Sequence, residues 1–432
     1  MKTSRRSFLG GLAAAAAGSA FAELPKAAPA IRLGVMTDTH VGKTVESCAR
    51  VRQALERIAD RFAAELEFGT AGLRGTMKLG LHQMNVHVIR HATQSFANVI
   101  KAEGEEAMAK GIVIAYDCRN NSQLFAKEAA CVMAANGIAV RIFDALRPTP
   151  ELSFAVRYYG TTAGLNITAS HNPKEYNGYK VYWSDGAQLP PQHAAAIAAQ
   201  MEKIDIFRDF VTCDFDEAVA DGRIKMIGAE TDEAYLSRVL GQAIDTDSVK
   251  KAAETMKIVY TPFHGAGYKL VPEALHRLGI EKLYPVAEQM VLDGNFPTVA
   301  SPNPENPEGF YLAIDLAKKV GSDLIIGTDP DSDRIGVMVR DGEDYISITG
   351  NQLGVLLLDY VINARRRAGT LPENAGAVKS IVTTGMANVV AETNGVHIEE
   401  TFTGFKFMAE RVAEWEKAGS YEYIFAYEES YG

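Results

Sequence analysis

Two short segments carry residue types that together can move a phosphoryl group. Residues 165–174 read LNITASHNPK, a hydrophobic strand pattern that breaks into a polar loop at Ser170. Residues 323–335 read DLIIGTDPDSDRI, with Asp329, Asp331 and Asp333 at alternate positions and Arg334 directly after them. In an extended segment alternate side chains share a face, so three carboxylates can converge on one ion. Oxygen-only ligands favour Mg²⁺ over zinc, and Mg²⁺ usually retains phosphate or water in its shell. A serine able to hold a phosphoryl group beside such a cage is the minimal apparatus for phosphoryl transfer. A phosphate on Ser170 would complete the Mg²⁺ shell, making Ser170 a fourth metal-site residue. Phosphoserine carries close to two negative charges near neutral pH, so nearby cations are required as well.

Blander readings exist for each motif. The aspartates could form a solvated acidic turn; an EF-hand is excluded because Arg334 replaces the glycine and Arg340 the terminal glutamate. Ser170 could merely cap a Ser-His-Asn-Pro turn, and TASHN lacks the glycines of a hydrolase nucleophile elbow. His171 either orients the serine or its substrate, or simply bonds the loop. Lys180, ten residues after the serine on the strand-like YKVYW, reads at its plainest as a surface lysine on an edge strand.

The elements that must position these loops alternate along the chain. VHVIRHATQSFANVIKAEG is amphipathic and helix-like, GIVIAYD is a β-run ending in a carboxylate, and LFAKEAACVMAANG is a helix stopped at Gly137. AVRIFDA and GLNITAS are further strands. KIVYTPFHGAG begins a second cycle near residue 257 and SIVTTG a third near 380, each a strand running into a glycine-containing loop. Strands separated by helices predict α/β layers. The expected divisions are 59–245 with the serine loop, 246–346 with the aspartate loop, and 347–432. DGNFPTVASPNPENP, rich in Pro and Asn, predicts an irregular connection.

These motifs resemble the α-D-phosphohexomutase family. Phe68-Gly69-Thr70-Ala71-Gly72-Leu73-Arg74-Gly75 looks like its first active-site segment. EYNGYKVYW (175–183) follows the serine loop as in the branch containing phosphoglucomutases and phosphopentomutases, and TGFKF (403–407) and YEESYG (427–432) resemble its later sugar loops. The resemblance implies three consecutive α/β domains of one architecture. It makes Ser170, Lys180, Arg74 and His171 catalytic, with Lys180 a general acid/base; a lysine can serve when neighbouring cations lower its pKa. It assigns Arg334, Gly404, Lys406, Glu428 and Ser430 to the substrate. The family normally continues into a smaller fourth domain that anchors the non-reacting phosphate. The text stops at Gly432, so that domain is expected to be missing and turnover to suffer.

The implied activity is a phosphosugar mutase: phosphorylated Ser170 donates to a sugar hydroxyl, the bisphosphate reorients, and its other phosphate returns to the serine. Glucose 1-phosphate/glucose 6-phosphate is the leading pair, with glucose 1,6-bisphosphate (or another sugar bisphosphate) as activator. Phosphopentomutase and phosphomannomutase chemistry stay open, as do two readings of other kinds: an exported metallophosphoesterase fragment and an inactive sugar-phosphate binder.

The N-terminus departs from this pattern. SRRSFLGGLAAAAAGSAFAELP resembles a twin-arginine export signal within residues 1–30, with an apolar run too short and alanine-rich for a membrane span. IRLGVMTDTHVGKT then resembles the opening of a calcineurin-like phosphoesterase, with Asp38 and His40 as ligands lacking later partners, so residues 31–58 stand apart. Mutase resemblance implies the cytoplasm; a working export signal would imply the periplasm. Composition adds bounds. A chain of 432 residues, 47% hydrophobic, can bury several cores, and a net charge of −10 disfavours a nucleic-acid partner. Nothing bears on oligomeric state. Cys48, Cys118, Cys131 and Cys213 have no CxxC spacing and read as reduced, mostly buried thiols.

Overall fold

The computed structural model describes residues 53–430 apart from 55, 59, 63, 70 and 71. The export-like segment, Asp38, His40 and Cys48 lie outside the described residues. Three α/β units follow one another along the chain, each built on its own sheet.

The first sheet has six strands: β1 (Leu73–Thr76), β2 (Ile112–Tyr116), β3 (Val140–Phe143), β4 (Ala163–Ile167), β5 (Tyr176–Trp183) and β6 (Ile224–Ile227), in the order β1-β5-β4-β2-β3-β6. β2, β3, β4 and β6 run parallel, whereas β5 is antiparallel to both of its neighbours. Every residue of β2 is buried, as the unbroken run IVIAY requires of a central parallel strand covered on both faces. Helix α1 (Val86–Ala102) begins where Asn85 accepts from the amides of His87 and Val88. Its Val88, Ile89, Ala92, Phe96 and Ile100 recur at helical spacing and enter the core with α2 (Ser122–Ala135). Helix α3 (Thr149–Tyr159) leads from the end of β3 to β4.

β5 is not an edge strand, contrary to the plainest expectation for Lys180, because β1 pairs along its outer side. The antiparallel approach is close at Gly178. A Cβ there would lie 2.4 Å from the Thr168 carbonyl oxygen and 3.0 Å from that of Leu73. Only a glycine lets the serine loop and β1 both press onto this strand.

The second sheet contains β7 (Ile258–Thr261), β8 (Leu283–Pro285), β9 (Leu324–Thr328), β10 (Ile335–Asp341) and β11 (Asp344–Ile348), ordered β11-β10-β9-β7-β8. The third has β12 (Ala375–Ser380), β13 (His397–Thr401) and β14 (Glu422–Tyr427), all parallel, in the order β13-β12-β14. The strand expected at SIVTTG lies earlier. β12 ends at Ser380, and Ile381 and Val382 are exposed in the following turn.

The first two units meet through a buried charge cluster. Arg147, just after β3, gives Nε to Asp232 Oδ1 at 2.6 Å, and Lys269 Nζ reaches Asp232 Oδ2 at 2.6 Å. Glu151 on α3 is fully buried beside them, its Oε2 3.9 Å from Arg147 Nε. Burial, and then the charge of Asp232, push the Glu151 carboxyl from 4.5 up to about 9. The folded protein therefore retains a proton that the unfolded chain releases. Stability from this group is complete below about pH 4.5 and is lost as pH rises towards about 9. Melting temperature should fall across that window, and Glu151→Gln, which is neutral throughout, should remove most of the fall. An unchanged slope in the variant would show that Glu151 does not hold the proton.

Candidate active site

The serine loop leaves β4 at Ile167 and turns sharply, with Ser170 at φ 51°. A positive φ at a non-glycine residue costs on the order of 1–3 kcal/mol and persists only where the surroundings over-determine it. Here they do. The Ser170 amide donates to Thr168 Oγ1 at 2.9 Å, and that hydroxyl donates to Asp117 Oδ2 at 2.6 Å. Arg119 Nη2 donates to the carbonyls of Ser170 (2.6 Å) and Asn172, and Nη1 to those of Pro173 (2.9 Å) and Tyr176 (3.1 Å). Asp117 and Arg119 pair at 3.3 Å with both side chains wholly buried. In the sequence Asp117 is visible only as the carboxylate closing a β-run, and Arg119 carries no mark. The available signal was a D-x-R pair directly after a fully hydrophobic strand.

The three aspartates converge, but not along an extended strand. β9 ends at Thr328, and the chain turns back with Ser332 at φ 54° and its amide on the Asp329 carbonyl at 2.9 Å. The amides of Asp333 and Arg334 both donate to Asp329 Oδ1 at 3.1 Å. One carboxylate oxygen from each aspartate then lies within 4.8 Å of the others. The alternate spacing was informative, whereas the strand geometry inferred from it was not.

The two loops meet. Ser170 Oγ donates to Asp329 Oδ2 at 2.7 Å. Thr149 clamps the aspartate loop twice, its amide on the Asp331 carbonyl (2.7 Å) and its hydroxyl on Asp331 Oδ2 (2.8 Å), while Asn166 Nδ2 donates to Thr149 Oγ1 at 2.6 Å. Lys180 is buried, with Nζ 2.7 Å from Asp331 Oδ2 and 3.1 Å from Asp333 Oδ2.

Burial and the neighbouring carboxylates hold the Asp329 carboxyl well above its ordinary range. Asp331 is equally buried, yet the Lys180 ammonium holds it below its usual value. Lys180 brings one ammonium to three buried carboxyl groups. Asp331 Oδ1 is buried with no hydrogen-bond partner. Three buried carboxyls crowded enough to disfavour the charge of Asp329, with an orphaned oxygen in an all-oxygen donor set, fit a hard divalent cation.

Around this centre, His171 Nδ1 lies 3.1 Å from Ser170 Oγ. Burial, with Arg334 and Arg74 nearby, lowers its pKa to about 4, so the ring is neutral at physiological pH. Arg74 is exposed on β1 and donates from Nη1 to Asn172 Oδ1 at 3.0 Å. Glu428 is buried, accepts from the Gly404 amide, and feels the charge of Arg334. Lys406, half-buried near the start of the helix Phe405–Ala418, lies 4.8 Å from the Phe407 ring centre, and Ser430 is half-buried in the turn after β14. Among the described thiols Cys131 is buried, and Cys118 and Cys213 are partly buried against the first core.

Comparison with known proteins follows the same order along the chain. The phosphoglucomutase/phosphomannomutase α/β/α domains I, II and III match residues 65–207, 233–342 and 349–432. A phosphoglucomutase of Staphylococcus haemolyticus is 37% identical over 384 residues, covering 86% of this chain and 65% of its own length. One from Staphylococcus epidermidis is 36% identical, covering 88% of this chain and 67% of its own. The chain thus spans about two thirds of the length of these relatives. The open form of Paramecium parafusin, a phosphoglucomutase, superposes with a TM-score of 0.64 at 20% identity, covering 85% of this chain and 67% of that one. At that identity it attests the fold alone. With three successive domains matched and more than a third of aligned residues identical, the chain belongs to the phosphoglucomutase/phosphomannomutase family.

Proposed function

We propose that this chain carries the phosphoryl-transfer half of a phosphosugar mutase, acting on glucose 1-phosphate and glucose 6-phosphate. The observation that carries the reading is Ser170 Oγ at 2.7 Å from Asp329 Oδ2, inside a buried triad of aspartates. Asp329, Asp331 and Asp333 would hold Mg²⁺ together with the Ser170 oxygen. When bound, that ion supplies charge neutralisation at the transferring phosphoryl group.

The chain's own residues do the rest. Arg119 and Thr168 hold the serine oxygen at the cage, so its position is set before substrate arrives. Lys180, a buried ammonium on Asp331 and Asp333, is set to protonate a leaving sugar oxygen and to take that proton back in the reverse direction. Neutral His171 orients the serine oxygen without adding charge, while Arg74 and Arg334 offset the phosphate. Gly404, Lys406, Glu428 and Ser430 form the sugar side of the cleft, and a sugar bisphosphate such as glucose 1,6-bisphosphate would prime the serine. Phosphoglucomutase names among the relatives favour glucose over mannose or pentose phosphates. The divisions at 245 and 346 are taken as the domain limits. Among the described residues no helix is long and apolar enough to cross a membrane.

Calorimetric titration tests the cage separately from turnover. Mg²⁺ binding to the wild-type chain should weaken by roughly tenfold or more in Asp331→Asn, since that change removes a ligand charge. A coupled glucose 1-phosphate to glucose 6-phosphate assay should lose rate in parallel. Equal Mg²⁺ affinity in both proteins would move the ion elsewhere.

A further inference from the structure

We infer that Thr383, on a turn held by the buried ammonium of Lys379, is a positioning residue for the sugar. It fixes Glu429 and thereby holds the neighbouring Glu428 in one geometry, given the reading of Glu428 as a sugar contact proposed above.

Lys379 stands near the end of β12 and is only 1% exposed. A lysine is almost never buried that deeply unless its charge is paired. Its Nζ donates to the Thr383 carbonyl at 3.0 Å and pairs with Glu400 Oε1, near the end of β13, at 2.9 Å. Asn388 Nδ2 donates to the same carboxylate oxygen at 3.0 Å. A buried ion pair contributes little net stability, because desolvation opposes the attraction. What this one contributes is a fixed turn after β12.

That turn carries the Thr383 hydroxyl. The Thr383 amide closes it on the Ser380 carbonyl at 3.1 Å, and Thr383 Oγ1 lies 2.8 Å from Ser380 Oγ. Thr383 Oγ1 donates to Glu429 Oε2 at 3.0 Å, joining residues 46 positions apart. The Thr384 amide donates to Asn351 Oδ1 at 2.8 Å, which ties the turn to the start of the helix Gly350–Arg367. The same helix start meets Glu429 from its backbone side. Gly350 lies so close to the Glu429 carbonyl that a Cβ would overlap it.

Glu429 is thus held by side chain and backbone together. Glu428, directly before it, is buried and accepts from the Gly404 amide. With its neighbour fixed and one oxygen engaged, the Glu428 carboxylate has little freedom left. A sugar hydroxyl bonded to it exchanges no bond during phosphoryl transfer, so the contact is equally strong in the ground and transition states. Losing binding of that kind raises KM and spares kcat.

The test uses the full 432-residue chain and Thr383→Val, which keeps the side-chain shape and removes the hydroxyl. KM for glucose 1-phosphate should rise roughly tenfold, the scale of a lost hydrogen bond to a carboxylate, while kcat changes less than about threefold. Thr383→Ser, which restores the hydroxyl, should return KM to within about twofold of wild type. Lys379→Met should raise KM in the same way. Glu428→Gln should raise it too, and its effect should fall short of adding to that of Thr383→Val, because both act through one contact. Mg²⁺ affinity measured by calorimetry should stay at the wild-type value in Thr383→Val, since Asp329, Asp331 and Asp333 lie in the second unit. Wild-type KM in Thr383→Val, a loss confined to kcat, full additivity with Glu428→Gln, or a parallel loss of Mg²⁺ affinity would each overturn the role. A wild-type chain that binds Mg²⁺ but neither binds nor converts glucose 1-phosphate would defeat the proposed function itself, and this role with it.

Discussion

Ser170→Ala should yield a protein that cannot be phosphorylated by glucose 1,6-bisphosphate and whose mutase rate falls to background. The side chain lost is the one whose oxygen stands 2.7 Å from Asp329, and alanine supplies no atom to carry the phosphoryl group. Losses of this kind exceed about 10⁴-fold when a nucleophile is deleted. Intact-mass measurement after incubation with the bisphosphate should show one phosphate on the wild-type chain and none on the variant. The fold should hold, because Ser170 Oγ contributes nothing to the core and its loop is fixed through backbone carbonyls. A phosphate appearing at another residue, or turnover persisting in the variant, would defeat the mechanism.

Arg119→Ala should be the most damaging single change to stability near the site. It leaves Asp117 buried without its cation and strips donors from four loop carbonyls at once. Breaking a buried pair from one side costs about 3–5 kcal/mol. Desolvation already raises the Asp117 carboxyl, with the Arg119 charge opposing that rise, so the loss of the arginine should drive Asp117 to take up a proton. Denaturant unfolding should show the loss, and Arg119→Lys should recover little of it, since an ammonium cannot serve four carbonyls in a plane. Wild-type stability in the alanine variant would mean that the loop is held by Thr168 alone. Arg119 also stacks 5.1 Å from the Phe296 ring of the second unit, so the damage should reach the junction between units.

What the sequence disclosed and what it withheld divide along a physical line. Residue types disclosed which side chains would cluster: a serine at a strand end and carboxylates at alternate positions are visible without coordinates. Local periodicity disclosed the elements, since IVIAY and the α1 stripe need only their own neighbours to explain them. Tertiary placement stayed hidden. Lys180 reads as a surface residue because the strand that covers β5 comes from about a hundred residues earlier. Thr149 and Asn166 look like ordinary polar residues until the second unit lays Asp331 against them. The turn at Ser332 hid as well, because a serine at positive φ has no compositional mark. Ile381 and Val382 look like strand and are not, for hydrophobicity alone does not say where a ladder stops.

The contact between Ser170 and Asp329 joins residues 159 positions apart. A ribosome adding about 5–20 residues per second takes roughly 8–30 seconds to travel that distance. Only in the later part of that interval, after β5 and β6 have been made, is the first sheet complete, and its serine loop then has no carboxylates opposite it. The serine and the three carboxylates can therefore meet only after the second unit has been made.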